Sequence, residues 1–334
     1  EANGIKIRIF NQPISSFGDC DLVFIDSKHF RGKVQGTLDY IHEKLEYFSS
    51  KCNCVSWYDS TDSAGWLVGS VLPYVQRYFK NQILRDRAAY LKPMYGRRTY
   101  TDFYHHTKGI IDRIADDAPQ VTDPLLLKRL RLGWNSGLAD YSRFGPTRMA
   151  LYEKLRWRAL LTYPRIAEAA CAPRPISLSC RMGTSYNRNS VAYQRKKIQE
   201  LLTSRIAMRK LRRSKYFAEL KKSRAVISPF GLGEITLKDF EVFLTGGLLI
   251  KPDMSHLETW PDLFIRDKTM AGFNWDLTDF ESMIEEALNN TSKTEHIAAE
   301  GQKKYIRYTA STEASELFVS HFSSLVSEAT KDND

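Results

Sequence analysis

Glu234, Glu241 and Lys251 are the residues whose types and spacing could do chemistry together. They lie in SPFGLGEITLKDFEVFLTGGLLIKPDMSH, residues 228–256, which runs from a glycine-punctuated turn through a helical stretch and a glycine pair to an apolar strand and Lys-Pro-Asp. Gly231 and Gly233 let a backbone turn tightly and approach a ligand closely. Ile235 and Thr236 would open a helix whose unpaired N–H groups and positive dipole end suit a phosphate. Glu234 and Glu241 stand seven positions apart, which on a helix is two turns or ~10 Å along one face. One would sit near the mouth and the other deeper, where a carboxylate can accept from the two hydroxyls of a ribose. Lys251 leaves the strand at its carboxyl end and could neutralise a diphosphate, with hydrogen bonds from Ser255 and His256. Arg181, at the end of RPISLSCRM, reaches the same edge. The alternative, two solvated glutamates beside a buried stripe of Leu237, Phe240 and Leu244, stays open on these residues alone.

Such a site needs strands and helices that deliver it. Apolar runs at 5–10 and 21–30, the helical pattern KVQGTLDYIHEKLEYF (33–48) and the strand CVSWYD (54–59) alternate as βαβ units with a parallel sheet do. SVLPYVQRYFKNQILRDRAAYL (70–91) repeats apolar or aromatic residues at every third or fourth position and predicts one long amphipathic helix. DPLLLKRLRLGW and GPTRMALYEKLRWRALL add helical segments. The two prolines of CAPRP (171–175) mark a boundary, after which alternation restarts: strand 174–182, helix 189–202, strand 223–231, helix 235–244, strand 247–253 and helix 279–290, with two long helices to finish. The fold class is therefore α/β, two Rossmann-like lobes facing across a cleft, divided into residues 1–172 and 173–310. Gly246-Gly247 ends the helix before Lys251 as a C-cap does.

Composition narrows the partners. With 43% apolar and 12% aromatic residues in 334, the chain is globular. No run of about 18 apolar residues is present, so a membrane span is not expected, nor does the chain open on a basic-then-apolar leader. Five cysteines at irregular spacing argue for thiols and a cytoplasmic location. Cys52-Asn53-Cys54 lacks the spacing of a zinc site. The formal charge of +10 asks for an anionic partner, and residues 205–224 hold nine Lys or Arg against one Glu. That segment is a solvated helix face or a docking surface for an acidic membrane or a polyanion. The absence of G-x-G-x-x-G after the first strand disfavours a dinucleotide dehydrogenase.

The order strand, SPFGLGE, helix with a glutamate, GG, apolar strand and KPD resembles the nucleotide-sugar half of GT-B glycosyltransferases, including the exostosin-like and the bacterial or viral polysaccharide-building branches. The match covers about residues 174–310, and the first lobe agrees only in its alternation of elements. The resemblance implies that the second lobe binds a nucleoside-diphosphate sugar and the first a glycan or glycolipid acceptor, with the last helix, 311–330, crossing back to the first lobe. It implies ribose binding by Glu241, an approach of Glu234 to the donor sugar or phosphate, and Lys251 and Arg181 at the diphosphate. The nucleotide-sugar set is then Arg181, Gly233, Glu234, Thr236, Glu241, Lys251 and Ser255. In retaining members the two glutamates stand one position further apart, so the stereochemical outcome is open. Asp19-Cys20-Asp21 precedes a strand instead of ending one, so no metal is expected; basic side chains and a helix terminus would hold the leaving group.

A general base for an acceptor hydroxyl would come from Asp59 or Asp62, directly after the strand CVSWYD, with Asp26 and His29 as second choices. A capping role for Asp59 and Asp62 competes. YLKPMYGRRTYTDFYHH (90–106) interleaves aromatics with Lys92, Arg97 and Arg98, as an acceptor surface would; a packed interlobe helix competes. Two further readings stay in view, a nucleotide-sugar epimerase of the same fold and a non-catalytic polyanion-binding protein. Peripheral contact with an acidic membrane is compatible with the transferase, and nucleic acid is not an expected partner.

Overall fold

The computed structural model describes residues 4–10, 20–30, 38–113, 120–138, 146–160, 164–203 and 205–331. Its first lobe is built on β1 (Leu22–Asp26), β2 (Cys54–Asp59) and β3 (Arg77–Lys80), followed by the short β4 (Gln82–Leu84) and by β5 (Leu130–Leu132). Four of these form a parallel sheet in the order β1-β2-β3-β5, with Phe24 beside Ser56 and Tyr78 beside Leu130. A parallel strand covered on both faces reads as a continuous apolar run, and in VSWYD every residue is buried. α1 (Leu38–Ser49) packs Ile41, Leu45 and Phe48 into this core. α2 (Thr99–Lys108) and α3 (Pro146–Leu155) follow.

The second lobe repeats the plan. β6 (Ile176–Ser179), β7 (Ser223–Ile227), β8 (Leu248–Pro252) and, beyond a short β9 (Leu257–Thr259), β10 (Ala271–Phe273) form a parallel sheet in the order β10-β8-β7-β6. Its helices are α4 (Asn189–Leu202), α5 (Arg213–Lys222), α6 (Leu237–Thr245), α7 (Phe280–Asn289) and α8 (Thr291–Thr309). α6 stops at Gly246, which takes the left-handed conformation at φ 70° that glycine adopts without a Cβ penalty.

The lobes are joined at several places. β4 pairs antiparallel with β9, Gln82 opposite Thr259 and Leu84 opposite Leu257. One hydrophobic cluster also runs from Val55, Trp57 and Tyr78 through Tyr100 and Phe230 to Phe240, Phe243 and Tyr305. The last helix, α9 (Ala314–Thr330), returns to the first lobe: Phe322 meets Phe24 at 6.0 Å, Phe318 meets Trp134 at 5.7 Å, and Arg131 Nε donates to Glu328 at 2.6 Å. Leu325, buried in that contact, contributes roughly 1.5–3 kcal/mol.

The first lobe departs from its sequence pattern in three places. Residues 70–91 are not one helix; a 3₁₀ segment (Gly69–Tyr74) containing Pro73 gives way to β3, β4 and a second 3₁₀ segment (Arg87–Leu91). Proline removes a helical donor, and Tyr78, Phe79 and Ile83 are the aromatic and β-branched residues that a buried strand favours. DPLLLKRLRLGW likewise turns from a 3₁₀ segment into β5. Ile5–Phe10 joins no strand, and Ile7, Ile9 and Phe10 are exposed. Residues 33–37 of the first helical pattern, and Asp19, lie outside the described residues.

Candidate functional site

The site expected at the carboxyl edge of the second sheet is built from the loop 228–236 and the first turns of α6. The helix begins at Leu237, with Thr236 as its N-cap: Thr236 N donates to Asp239 Oδ2 at 2.7 Å. Glu234 is therefore in the loop, not on the helix, and shares no helical face with Glu241. It is fully buried, accepting from Ser63 Oγ at 3.0 Å, Ala64 N at 3.0 Å and Gln82 Nε2 at 3.2 Å, all in the first lobe. Burial raises its pKa above the usual carboxylate value, and the donors from Ala64 and Ser63 only partly offset this. In this geometry Glu234 is a latch between lobes.

Gly233 is fixed by the same seam. A Cβ there would overlap the Asp62 carbonyl, so the requirement is close approach, not an unusual φ. Tyr100 OH donates to Gly231 O at 2.8 Å, and Arg98 Nε to Leu232 O at 2.6 Å. Phe230 tilts against Tyr100 at 4.8 Å and stands edge-on to Trp275 at 5.6 Å.

Around the start of α6 lies a concentration of cations. Arg195, on α4, is 7% exposed and spends its guanidinium on backbone carbonyls: Nε to Phe230 O at 2.5 Å, NH1 to Gly183 O at 3.1 Å, NH2 to Pro229 O at 3.4 Å. Lys238 is part-buried, its amine donating to Arg181 O. Burial pulls that amine down to about 8, and the charges of Arg195 and Lys251 push the same way. Lys251 is sealed at 0% exposure, 3.0 Å from Asp239 Oδ2 and 5.7 Å from the Phe230 ring centroid. Asp239 also accepts from Ser228 Oγ at 2.5 Å. The expectation that Lys251 presents its charge to a diphosphate is thus corrected: its charge is committed to a buried carboxylate. Arg195, Lys238 and Lys251 remain three cations close enough to perturb one another, and of these Lys251 is the one ion-paired with Asp239.

Arg181 and Glu241 both pair with residues of α5, and Lys238 donates to the Arg181 carbonyl. Arg181 binds Glu219 through Nε at 2.9 Å and NH2 at 2.6 Å, so its fork is occupied by a carboxylate and does not stand open to solvent. Glu241 lies 3.6 Å from Arg213 and beside the Tyr216 phenol; burial raises its pKa, against Arg213 and Tyr216, which lower it. Ser255 is separate. It is tied to Asp253 and lines a hollow of about 380 Å³ with Arg85, Met254, Asp262 and Arg266. The structure therefore groups Arg181, Lys238 and Glu241, places Lys251 and Thr236 at the base of α6, and puts Glu234 and Gly233 at the seam.

The two aspartates after β2 differ. Asp59 is fully buried and accepts from Lys80 Nζ at 2.9 Å, Tyr78 OH at 2.8 Å and Thr61 N at 2.8 Å. That corrects its placement as a base facing an acceptor, because a neighbouring lysine already neutralises it away from solvent. Asp62 is exposed and touches Gly233 across the seam. Asp26 is occupied by Ser60 Oγ at 2.9 Å, and His29 stands edge-on to Phe30. In 90–106 the tyrosines 90, 95, 100 and 104 are buried and α2 packs on α4, as an interlobe helix does. Arg97 covers the Trp66 ring at 4.9 Å.

Sequence reasoning passed over Arg195, Lys238 and Asp239. A signal existed for the first: Arg195 interrupts the buried stripe Val191, Ile198 and Leu202 at a position where an apolar residue is expected. His256 proves unusual. It is largely buried, neither ring nitrogen has a hydrogen-bond partner, it stands edge-on to Trp275 at 4.8 Å, and burial lowers its pKa to about 4. Among the described residues no group of three or more His, Cys, Asp and Glu could hold a metal ion.

No protein-family model and no curated protein matches the sequence. Three solved structures align along most of the chain. Anabaena HepE in complex with UDP-glucose is 9% identical with a TM-score of 0.44, covering 92% of this chain and 79% of its own. TarM is 8% identical with a TM-score of 0.43, covering 90% and 54%. An alpha-glucosyltransferase in complex with UDP is 10% identical with a TM-score of 0.37, covering 92% and 82%. At such scores the likeness settles nothing about chemistry, which has to rest on the residues themselves.

Proposed function

We propose that the chain is a glycosyltransferase that moves a sugar from a nucleoside-diphosphate donor onto a hydroxyl of a glycan or glycolipid, without a metal ion. The observation that carries this reading is the excess of buried positive charge at the carboxyl edge of the second sheet. Arg195, Lys238 and Lys251 crowd the start of α6; Asp239 pairs with Lys251 at 3.0 Å, whereas Arg195 and Lys238 donate to backbone carbonyls. Buried charge without a counter-charge is costly, and an anion seated beside Lys238 relieves it. A diphosphate there meets the Lys238 amine and the field of Arg195, while Glu241, one turn further along α6, accepts from the ribose hydroxyls. In the reaction the bond between the anomeric carbon and the β-phosphate oxygen breaks. The acceptor oxygen forms the new bond to that carbon, and its proton passes to Asp62, the exposed carboxylate at the seam. The leaving diphosphate gains charge, which preorganised cations stabilise more in the transition state than in the ground state. The latch through Glu234 and Tyr100 closes the lobes over that site and excludes water.

The test is product analysis with a panel of nucleoside-diphosphate sugars and glycan or glycolipid acceptors in the presence of a chelator. Release of nucleoside diphosphate that depends on the acceptor supports transfer. Isomerised donor without release supports an epimerase instead, and binding of polyanions that survives Glu241→Gln without any turnover supports a non-catalytic role.

A further inference from the structure

A second charged feature lies outside that site. Residues 205–222 cover the outer edge of the second lobe, beside β6, as an extended segment followed by α5. Arg205, Arg209, Lys210, Arg212, Arg213, Lys215 and Lys222 are exposed there. The segment's one acidic residue, Glu219, is consumed by Arg181 at 2.6 Å. From outside the segment Glu281 approaches Arg205 at 3.8 Å, and Glu241 approaches Arg213 at 3.6 Å. Apolar side chains are set among these charges. Ile206, Ala207 and Met208, with Met182, Thr184, Thr203 and Arg209, line an open hollow of about 410 Å³, Ile206 and Met208 being half-buried against the second-lobe core.

We propose that this face docks the protein on an anionic lipid surface, with the cations at the phosphates and Ile206 and Met208 toward the acyl boundary. The chemistry favours lipid over nucleic acid. A single-stranded nucleic acid site stacks bases on exposed aromatic rings, whereas here Tyr216 and Phe217 are half-buried, and Phe217 lies beneath the Arg213 guanidinium at 4.8 Å. A cluster of basic side chains beside small apolar ones is the composition that an anionic headgroup layer attracts, each cation strengthening binding roughly fivefold. No helix among the described residues is long and apolar enough to cross a membrane, so such an association would be peripheral.

The experiment is co-sedimentation of the whole protein with vesicles of phosphatidylglycerol and phosphatidylcholine, against vesicles of phosphatidylcholine alone. The triple variant Arg209→Gln, Lys210→Gln, Arg212→Gln leaves the diphosphate and ribose residues untouched, and its thermal midpoint serves as the folding control. Binding to the anionic vesicles alone, weakened on the order of 100-fold in the triple variant, is the expected result. Ile206→Ser should reduce the part of the binding that survives added salt. No sedimentation with anionic vesicles at low salt overturns the proposal, as does binding that the triple variant retains in full. Tighter capture of a single-stranded oligonucleotide than of the anionic vesicles at equal salt also overturns it.

Discussion

Lys251→Met separates two accounts of the most conspicuous lysine in the chain. On the sequence alone Lys251 faces a ligand, and its loss should abolish donor binding while leaving stability alone. In the structure its amine and the Asp239 carboxylate are both at 0% exposure and 3.0 Å apart. Methionine preserves the stem and deletes the charge, leaving Asp239 with Ser228 Oγ and Thr236 N but no counter-ion. Removing one partner of a buried pair costs about 3–5 kcal/mol, a large share of the ~5–15 kcal/mol that holds a typical domain. Asp239→Asn should cost a similar amount by stranding the ammonium. The double variant strands neither charge, so its loss should fall short of the sum of the singles by roughly 2–3 kcal/mol. Urea unfolding followed by tryptophan fluorescence near neutral pH reads all four proteins. A Lys251→Met midpoint within about 0.5 kcal/mol of the parent, or additive singles, would refute the sealed pair and return Lys251 to the ligand.

Three further outcomes follow from the same geometry. Glu234→Gln should lose roughly 1–3 kcal/mol; because burial raises the Glu234 pKa above its ordinary 4.5, its contribution is fully present below that value and declines as pH rises, so the deficit measured by urea midpoints should be larger in acid than at neutrality. His256 titrates near 4 when folded and 6.5 when unfolded, so its contribution is present above 6.5 and is lost as pH falls toward 4, by up to roughly 3 kcal/mol; a His256→Phe protein should lack that acid-limb loss. Asp62→Asn should reduce kcat about 10²- to 10⁴-fold with the thermal midpoint unchanged, whereas Asp59→Asn should lower the midpoint by stranding Lys80, and the reverse pattern would exchange their roles.

The second lobe was legible because its elements carry local signals: Gly246 after an apolar helix, LLI after a glycine pair, and a regular stripe on α7. The first lobe misled where short strands and 3₁₀ segments follow one another, since Tyr78, Phe79 and Ile83 mimic a helical stripe until Pro73 is given its weight. Residue types at the candidate site were readable, but their partners were not. Nothing local to Glu234 announces Ser63 and Gln82, which lie more than a hundred residues upstream, and nothing local to Arg181 separates a phosphate ligand from a partner of Glu219. Arg98 and Tyr100 similarly read as acceptor contacts until the fold shows them holding the 231–232 carbonyls.

The cations at the start of α6 are the centre of the account, and calorimetric titration with nucleoside diphosphates in a chelating buffer addresses them directly. The Lys238 amine titrates at about 8, and only its protonated form attracts a diphosphate. Affinity should therefore fall as pH rises through that value, and Lys238→Met should bind weakly at every pH. Failure of every nucleoside diphosphate to bind, or binding that is independent of pH and unchanged in Lys238→Met, would contradict it.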